Sequence, residues 1–277
     1  MSKGTLGFSF ALCMFFMTCL SGNVQRQVSN GGQVSANMEN DVKYDTIPLG
    51  AKSLLAAYPY YIVEYVDGYL LLSDSTKIQY DDNLTKSFEQ KLNNADPEDM
   101  FSFKYDMKAD KPKYLQDAGR CRCERLFKFM YGRNESEVRR NLVKVDWFGS
   151  SVLFTQINSA ADSLRSVARE LIKHHELKPY LRSCGTFYWR KVRGANRMSA
   201  HSYGIAIDIG ISYSDYWLWK NNGRKETDTI PYVNRMPLKI IDIFEKHGFI
   251  WGGRWYHYDT MHFEYRPEIL SGCINRQ

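Results

Sequence analysis

The alternation that follows Gly204 constrains this chain more than any other feature of its sequence. Ile205, Ile207, Ile209 and Ile211 fall on one side of an extended segment, and Ala206, Asp208 and Gly210 on the other, because successive side chains of a strand point to opposite faces. The Ile side predicts a face packed into a core. On the opposite side Asp208 stands between two very small residues, which leaves open space in front of a carboxylate. A charge placed that way makes sense if something must approach it. A second segment, Asp259 to Tyr265, repeats the pattern: Met261, Phe263 and Tyr265 on one face, His262 and Glu264 on the other. It follows the paired glycines Gly252 and Gly253, which predict a tight turn or a close backbone approach.

The polar faces of the two segments suggest metal chemistry. His201 lies seven residues before Asp208, too far along a straight strand or helix to share one ion with it, but Gly204 between them permits a bend. His201, Asp208 and His262 then make a three-ligand set that leaves a fourth position for water. Zinc lowers the pKa of such a water to roughly 7. Asp259, three positions before His262, is a candidate general base. Each residue also has an ordinary alternative: a His in a strand is commonly a hydrogen-bonded core residue, and an Asp near a Gly is commonly a turn residue. Two His and a carboxylate also ligate non-haem iron in oxygenases, but those place the first His and the carboxylate much closer together. Cys121-x-Cys123 is half of a zinc site without a matching second Cys pair.

The N-terminus predicts export. Lys3 precedes an apolar stretch from Leu6 to Met17, and small and polar residues follow, the order of a secretory signal peptide. Cleavage is expected near Ser21 or Gly22, giving a signal over 1–22. The apolar run is too short for a comfortable membrane span, and no later segment reads as one. Cys19 offers an alternative lipid anchor, although Phe16-Met17-Thr18 fits a lipobox poorly. Past the signal, Cys121, Cys123, Cys184 and Cys273 remain. In an oxidising compartment they predict at least one disulfide, of unassigned pairing. The net charge of +6 suits an anionic partner such as cell wall, but no basic run is interleaved with aromatics, so nucleic acid is not expected as a partner.

Residues 23–45, rich in Ser, Asn, Gln and Gly, predict a flexible leader. Within an N-terminal region over 46–149, Asp67-Gly68 between two Tyr-, Val- and Leu-rich runs predicts a hairpin, and Arg120 to Tyr131 a helix. From 150 on, helical spacing of Leu164, Val167, Ala168, Leu171 and Ile172 predicts a helix capped by Asn158 or Ser159, running to about His175 and closed by Pro179. A second helix opens at Pro237 and ends at His247-Gly248. Helices and strands that do not alternate regularly indicate an α+β domain over 150–277.

Ser199-x-His201-x-x-Gly204-x-Ala206-x-Asp208, followed by Asp259-x-x-His262-Phe-Glu, resembles the signature of the D-alanyl-D-alanine carboxypeptidase metallopeptidases. That group includes L-alanyl-D-glutamate endopeptidases and shares the hedgehog/DD-peptidase fold. The resemblance covers roughly residues 150–270 and reaches the upstream region only loosely. It implies a central antiparallel sheet flanked by helices, with a partly β N-terminal region before it. It further implies one zinc per chain on His201, Asp208 and His262, with Asp259 as catalytic base and Ser199 near bound substrate. An Arg upstream of the first motif orients the scissile carbonyl in the family. Arg190 stands in that place, with Arg193 and Arg197 as alternatives. The implied activity is hydrolysis of bonds flanked by D-amino acids in peptidoglycan stem peptides, by a periplasmic or secreted protein of the cell envelope. The competing reading is a non-catalytic wall- or protein-binding module on the same fold. Loss of Asp259 or of a ligand would signal that, and all four residues are present. His257 is either a support for Asp259 or a surface His. His174-His175 and His247 are expected at helix ends. Tyr213, Tyr216, Trp217 and Trp219 either line a glycan groove or simply pack.

Overall fold

The computed structural model describes residues 47–219 and 225–274, the last three without their side chains. The expected signal, the leader and Cys19 lie outside these residues. The described residues form one unit. It opens with helix α1 (Leu49–Ala57), followed by β1 (Ile62–Val66), β2 (Tyr69–Leu72) and β3 (Lys77–Gln79), which make a three-stranded antiparallel sheet in that order. The β1–β2 hairpin turns at Asp67 and Gly68, both at positive φ (50° and 80°). That conformation matches the twist of the flanking strands, which is why Asp-Gly is favoured there.

Helix α2 (Phe88–Asn93) follows, then α3 (Glu124–Tyr131) and α4 (Glu135–Arg140). The helix expected from Arg120 starts four residues later. Residues 118–120 form a turn and 121–123 are irregular instead, because Arg120 bonds Asp117 and Arg122 bonds Glu264, far along the chain. Strands β4 (Leu142–Trp147) and β5 (Ser150–Thr155) form a separate hairpin.

Helix α5 (Ala160–Leu171) buries Leu164, Val167 and Leu171. It ends earlier than the spacing predicts. Ile172 is 63% exposed, so a further turn would bury nothing more, and Pro179 lies inside a separate 3-10 helix, His175–Tyr180. Neither expected residue caps α5 through its side chain: Ser159 is left-handed and makes no cap bond, while the Asn158 amide donates to the Ala57 carbonyl and ties α5 to α1.

Strand β6 (Ser183–Gly185), β7 (Ala206–Ile209), α6 (Leu238–Lys246), β8 (Phe249–Trp251), β9 (His262–Tyr265) and α7 (Pro267–Ile274) complete the order. The four strands form an antiparallel sheet, β6-β7-β9-β8. Pro237 precedes α6, and Gly248 follows it at φ +89°, as the sequence predicts. Ile207, Ile209 and Phe263 from the sheet pack with Ile240, Ile241 and Phe244 from α6 in one core, and Phe244 stacks on Phe263 at 3.9 Å. The same core takes in Leu54, Tyr58 and Leu70 from the N-terminal region. Deep below it, the Tyr58 hydroxyl donates to Glu268, which also accepts from Arg266. The architecture is α+β with antiparallel sheets, as expected.

Among the described residues the expected disulfide is absent. Cys121, Cys123 and Cys184 are free thiols, the first two buried and the third exposed. Burial pushes the thiols of Cys121 and Cys123 up to about 12 and about 11, which keeps them neutral and unreactive. No helix of the described residues is long and apolar enough to cross a membrane.

Candidate metal centre

The pairing of β7 with β9 builds most of the site. Asp208 lies directly opposite His262, and Ala206 opposite Glu264. Directly paired residues on one face sit within about 5 Å, so the strand register alone places Asp208 beside His262. The apolar residues of both strands point the other way, into the core. The small side chain of Ala206 leaves room for Glu264 on the site face. The alternation ends at Ile209: Gly210 is left-handed, and Ile211, expected to be buried, is half exposed in a turn. A Cβ at Gly210 would press on the backbone of Tyr180, so the chain turns there.

His201 arrives from the short 3-10 turn Ala200–Tyr203, which ends at Gly204 in the left-handed conformation. The bend expected at Gly204 is therefore present. Its carbonyl accepts from the Thr155 amide at 2.9 Å, which fixes the turn against the β4–β5 hairpin. As a result His201 Nε2 lies 3.3 Å from Asp208 and 3.2 Å from His262 Nδ1, and His262 Nδ1 lies 2.8 Å from Asp208. One ligand atom from each of the three residues falls within 4.8 Å of the others.

The hydrogen bonds around this triangle set the tautomers. His201 Nδ1 faces the Thr186 carbonyl. A carbonyl can only accept, so Nδ1 carries the hydrogen and Nε2 turns a lone pair to the centre. His262 Nε2 faces Glu264 at 3.0 Å. Burial opposes ionisation of Glu264, but the Arg122 charge and the His262 hydrogen bond outweigh it and hold its carboxyl down to about 2. Glu264 is thus an acceptor, Nε2 of His262 donates, and Nδ1 presents the second lone pair. Two lone pairs and the Asp208 carboxylate then converge on one point. Such a donor set suits a divalent cation. Burial pulls the His262 imidazolium down, but bonds to the Asp208 and Glu264 carboxylates prevail and push it up to about 10, so these surroundings favour positive charge. The residues present fit the zinc that the motif implies.

Glu264 is a functional candidate that spacing alone did not single out. Two arginines grip it, Arg122 at 3.2 Å and Arg266 at 3.3 Å. Glu264→Gln is expected to weaken metal binding by about 10- to 100-fold, the usual cost of losing a carboxylate behind a ligating His, with the fold retained. Competition with a zinc-binding dye measures this; an unchanged affinity would show that Glu264 is only a structural anchor.

Asp259 stands at the edge of the triangle. Its amide donates to the Gly252 carbonyl and its own carbonyl accepts from His262. A Cβ at Gly252 would come within 2.6 Å of the Asp259 carbonyl oxygen, so the close approach predicted for the paired glycines is real and positions this loop. The Oδ1 atom of Asp259 is sealed from solvent and has no hydrogen-bond partner. Burial, and then repulsion from Asp208, push its carboxyl up to about 7. A carboxylate with that pKa, beside a triangle of ligand atoms, is suited to accepting and returning a proton near neutrality.

These residues line one cleft of about 420 Å³. Ser199, Arg190, Arg193 and Arg197 also line it. The chain from 190 to 199 folds back on itself: Lys191 bridges Met198, Val192 donates to Arg197, and Ser199 donates to the Arg190 carbonyl. The Ser202 hydroxyl accepts from the Arg190 amide at 2.9 Å and locks the base of this loop to the His201 turn. Arg190 is exposed at the rim, and its guanidinium bonds only the carbonyl of Lys191. His257 is not a surface residue. It is buried, and both its amide and its ring bond Asp117, which in turn holds Arg120 at 2.6 Å. Among the aromatics, Tyr216 and Trp217 line the cleft, Trp219 is half exposed, and Tyr213 packs on Tyr180 away from it. His247 lies at the end of α6 against Glu170.

Residues 193–265 match a protein-family model described as D-alanyl-D-alanine carboxypeptidase. The match takes in the metal triangle, Asp259, Ser199, Arg193 and Arg197. Arg190 and the N-terminal region fall outside it. It supports the same zinc DD-peptidase family that the motif resembles, and with it a peptidase. No curated protein and no solved structure matches the chain.

Proposed function

We propose that this chain is an exported zinc metallopeptidase of the cell envelope, with the DD-peptidase fold, that hydrolyses bonds flanked by D-amino acids in peptidoglycan stem peptides. The observation that carries this reading is the convergence of two imidazole lone pairs and a carboxylate beside a sealed, unpartnered Asp259 oxygen. A zinc ion held by His201, Asp208 and His262 would polarise the scissile carbonyl as a Lewis acid and bring the pKa of water in its open position to roughly 7. Asp259 takes the proton of the attacking water and returns it to the leaving amine. Arg190, at the rim, swings in to donate to the carbonyl oxygen as that oxygen gains charge. Ser199 faces the bound peptide from the cleft wall.

Incubation of the zinc-loaded protein with defined muropeptides, followed by product masses, tests the reading. A loss of mass matching hydrolysis next to a D-centre is expected. Efficient cleavage of an all-L peptide, with muropeptides left intact, would show that the wall assignment is wrong while the zinc chemistry stands. The product masses also separate release of a terminal residue from internal cleavage.

A further inference from the structure

The cleft is lined by charges of both signs: Asp208, Asp259 and Glu264, and the arginines Arg120, Arg122, Arg190, Arg193 and Arg197. The inner arginines differ in how their charges are met. Arg120 is matched by Asp117 and Glu226 at 2.6 and 3.1 Å, and Arg122 by Glu264 at 3.2 Å. Arg197 is only 8% exposed. Its Nη1 donates to the neutral Asn93 side chain at 2.8 Å, and its buried Nε has no partner at all. No carboxylate among the described residues pairs with it. Burial, and then the charges of Arg120 and Arg122, lower its pKa to about 10. A buried guanidinium facing two like charges is costly to hold, and the wall of a substrate cleft is where an incoming anion would offset that cost.

Resting on the peptidase reading above, we propose that Arg197 is the centre of a carboxylate subsite that fixes the substrate at a carboxyl group away from the scissile bond. The planar guanidinium, with its Nε free, matches a carboxylate in two parallel hydrogen bonds. Arg197 and the metal-site residues line the same cleft, so a carboxylate held at Arg197 also sets the direction in which a peptide lies there. Arg120 and Arg122 add positive potential, but their forks are already engaged. The carboxylate is either a terminal α-carboxylate or the side-chain carboxylate of an acidic residue.

Three isosteric probes distinguish these sources without any turnover: N-acetyl-D-glutamine, whose only acid is terminal; N-acetyl-D-isoglutamine, whose only acid is in the side chain; and the corresponding diamide. Binding to the zinc-loaded protein is followed by calorimetry. One of the two acids should bind on the order of 10-fold more tightly than the diamide, the value of a charge-assisted hydrogen bond. Arg197→Met should bring that acid to the diamide's affinity while leaving the diamide unchanged. The variant should melt no lower than the parent in the absence of ligand, since it removes an unpaired buried charge. Arg197→Lys, which keeps the charge but loses the fork, should fall between them and serves if the Met variant does not fold. The acid that discriminates names the source. Equal binding of both acids and the diamide by the parent, or an acid preference that survives in the Met variant, would overturn the subsite. Because no step depends on hydrolysis, an Arg197-dependent acid preference without muropeptide cleavage would leave the subsite standing and remove the peptidase reading, and the reverse result would do the opposite.

Discussion

Replacing Asp259 with Asn is expected to leave one zinc per chain in place and to lower kcat by about 100-fold or more, the usual contribution of general acid–base catalysis. Asp259 is not one of the three converging ligand residues, so metal content should not change. The amide cannot take a proton, so turnover should. The pH profile adds a second readout. Burial and the neighbouring Asp208 push the Asp259 carboxyl up to about 7, and a dication held by Asp208 would draw it down from there. A base works only when ionised, so kcat/KM should rise with pH along an acid limb at or below about 7. The residual rate of the Asn variant should lack that limb. Near-parental kcat with zinc bound would remove Asp259 from the reaction, and an acid limb unchanged in the variant would assign the proton transfer to another group.

His201→Ala should go further and abolish both metal retention and turnover. It removes one of three donors and leaves the Thr186 carbonyl without the imidazole hydrogen it accepts. Two remaining donors seldom hold zinc against dialysis. Elemental analysis of the dialysed variant should therefore give well under one zinc per chain, and stem peptides should stay intact. Full zinc occupancy in this variant would reject the assignment of the site. Chelation of the parent should act in the same direction on stability. An ion bound only by the folded chain adds to its stability by mass action, and its removal should lower the melting temperature.

The sequence by itself determined the part of this protein that depends on period and on single backbone conformations. The alternation around Asp208 and His262 sets which side chains share a face, because a strand has a period of two. Gly204 marks the bend that returns His201, because only a residue free of Cβ strain takes the left-handed conformation at little cost. The Asp67-Gly68 turn and the limits of α6 were legible for the same local reason. The convergence of His201, Asp208 and His262 was therefore legible in the sequence, helped by a motif long enough to be specific.

Only the tertiary structure decided what depends on partners far along the chain. Glu264 supports His262 because Arg122, 142 residues away, holds it. His257 is buried because Asp117, 140 residues away, bonds it twice. Helix α3 starts late because Arg120 and Arg122 bond Glu226 and Glu264, 106 and 142 residues away, and α5 ends early because its buried stripe is exhausted at Leu171. Cys121 and Cys123 are unpaired and both are buried. The same holds for the upstream arginines. The resemblance put Arg190 in the family's place, with Arg193 and Arg197 as alternatives, and only the folded loop separates the exposed Arg190 at the rim from the buried, unpaired Arg197. A local pattern specifies φ, ψ and the facing of a side chain, whereas burial and charge pairing are set by whichever distant residues the chain brings alongside.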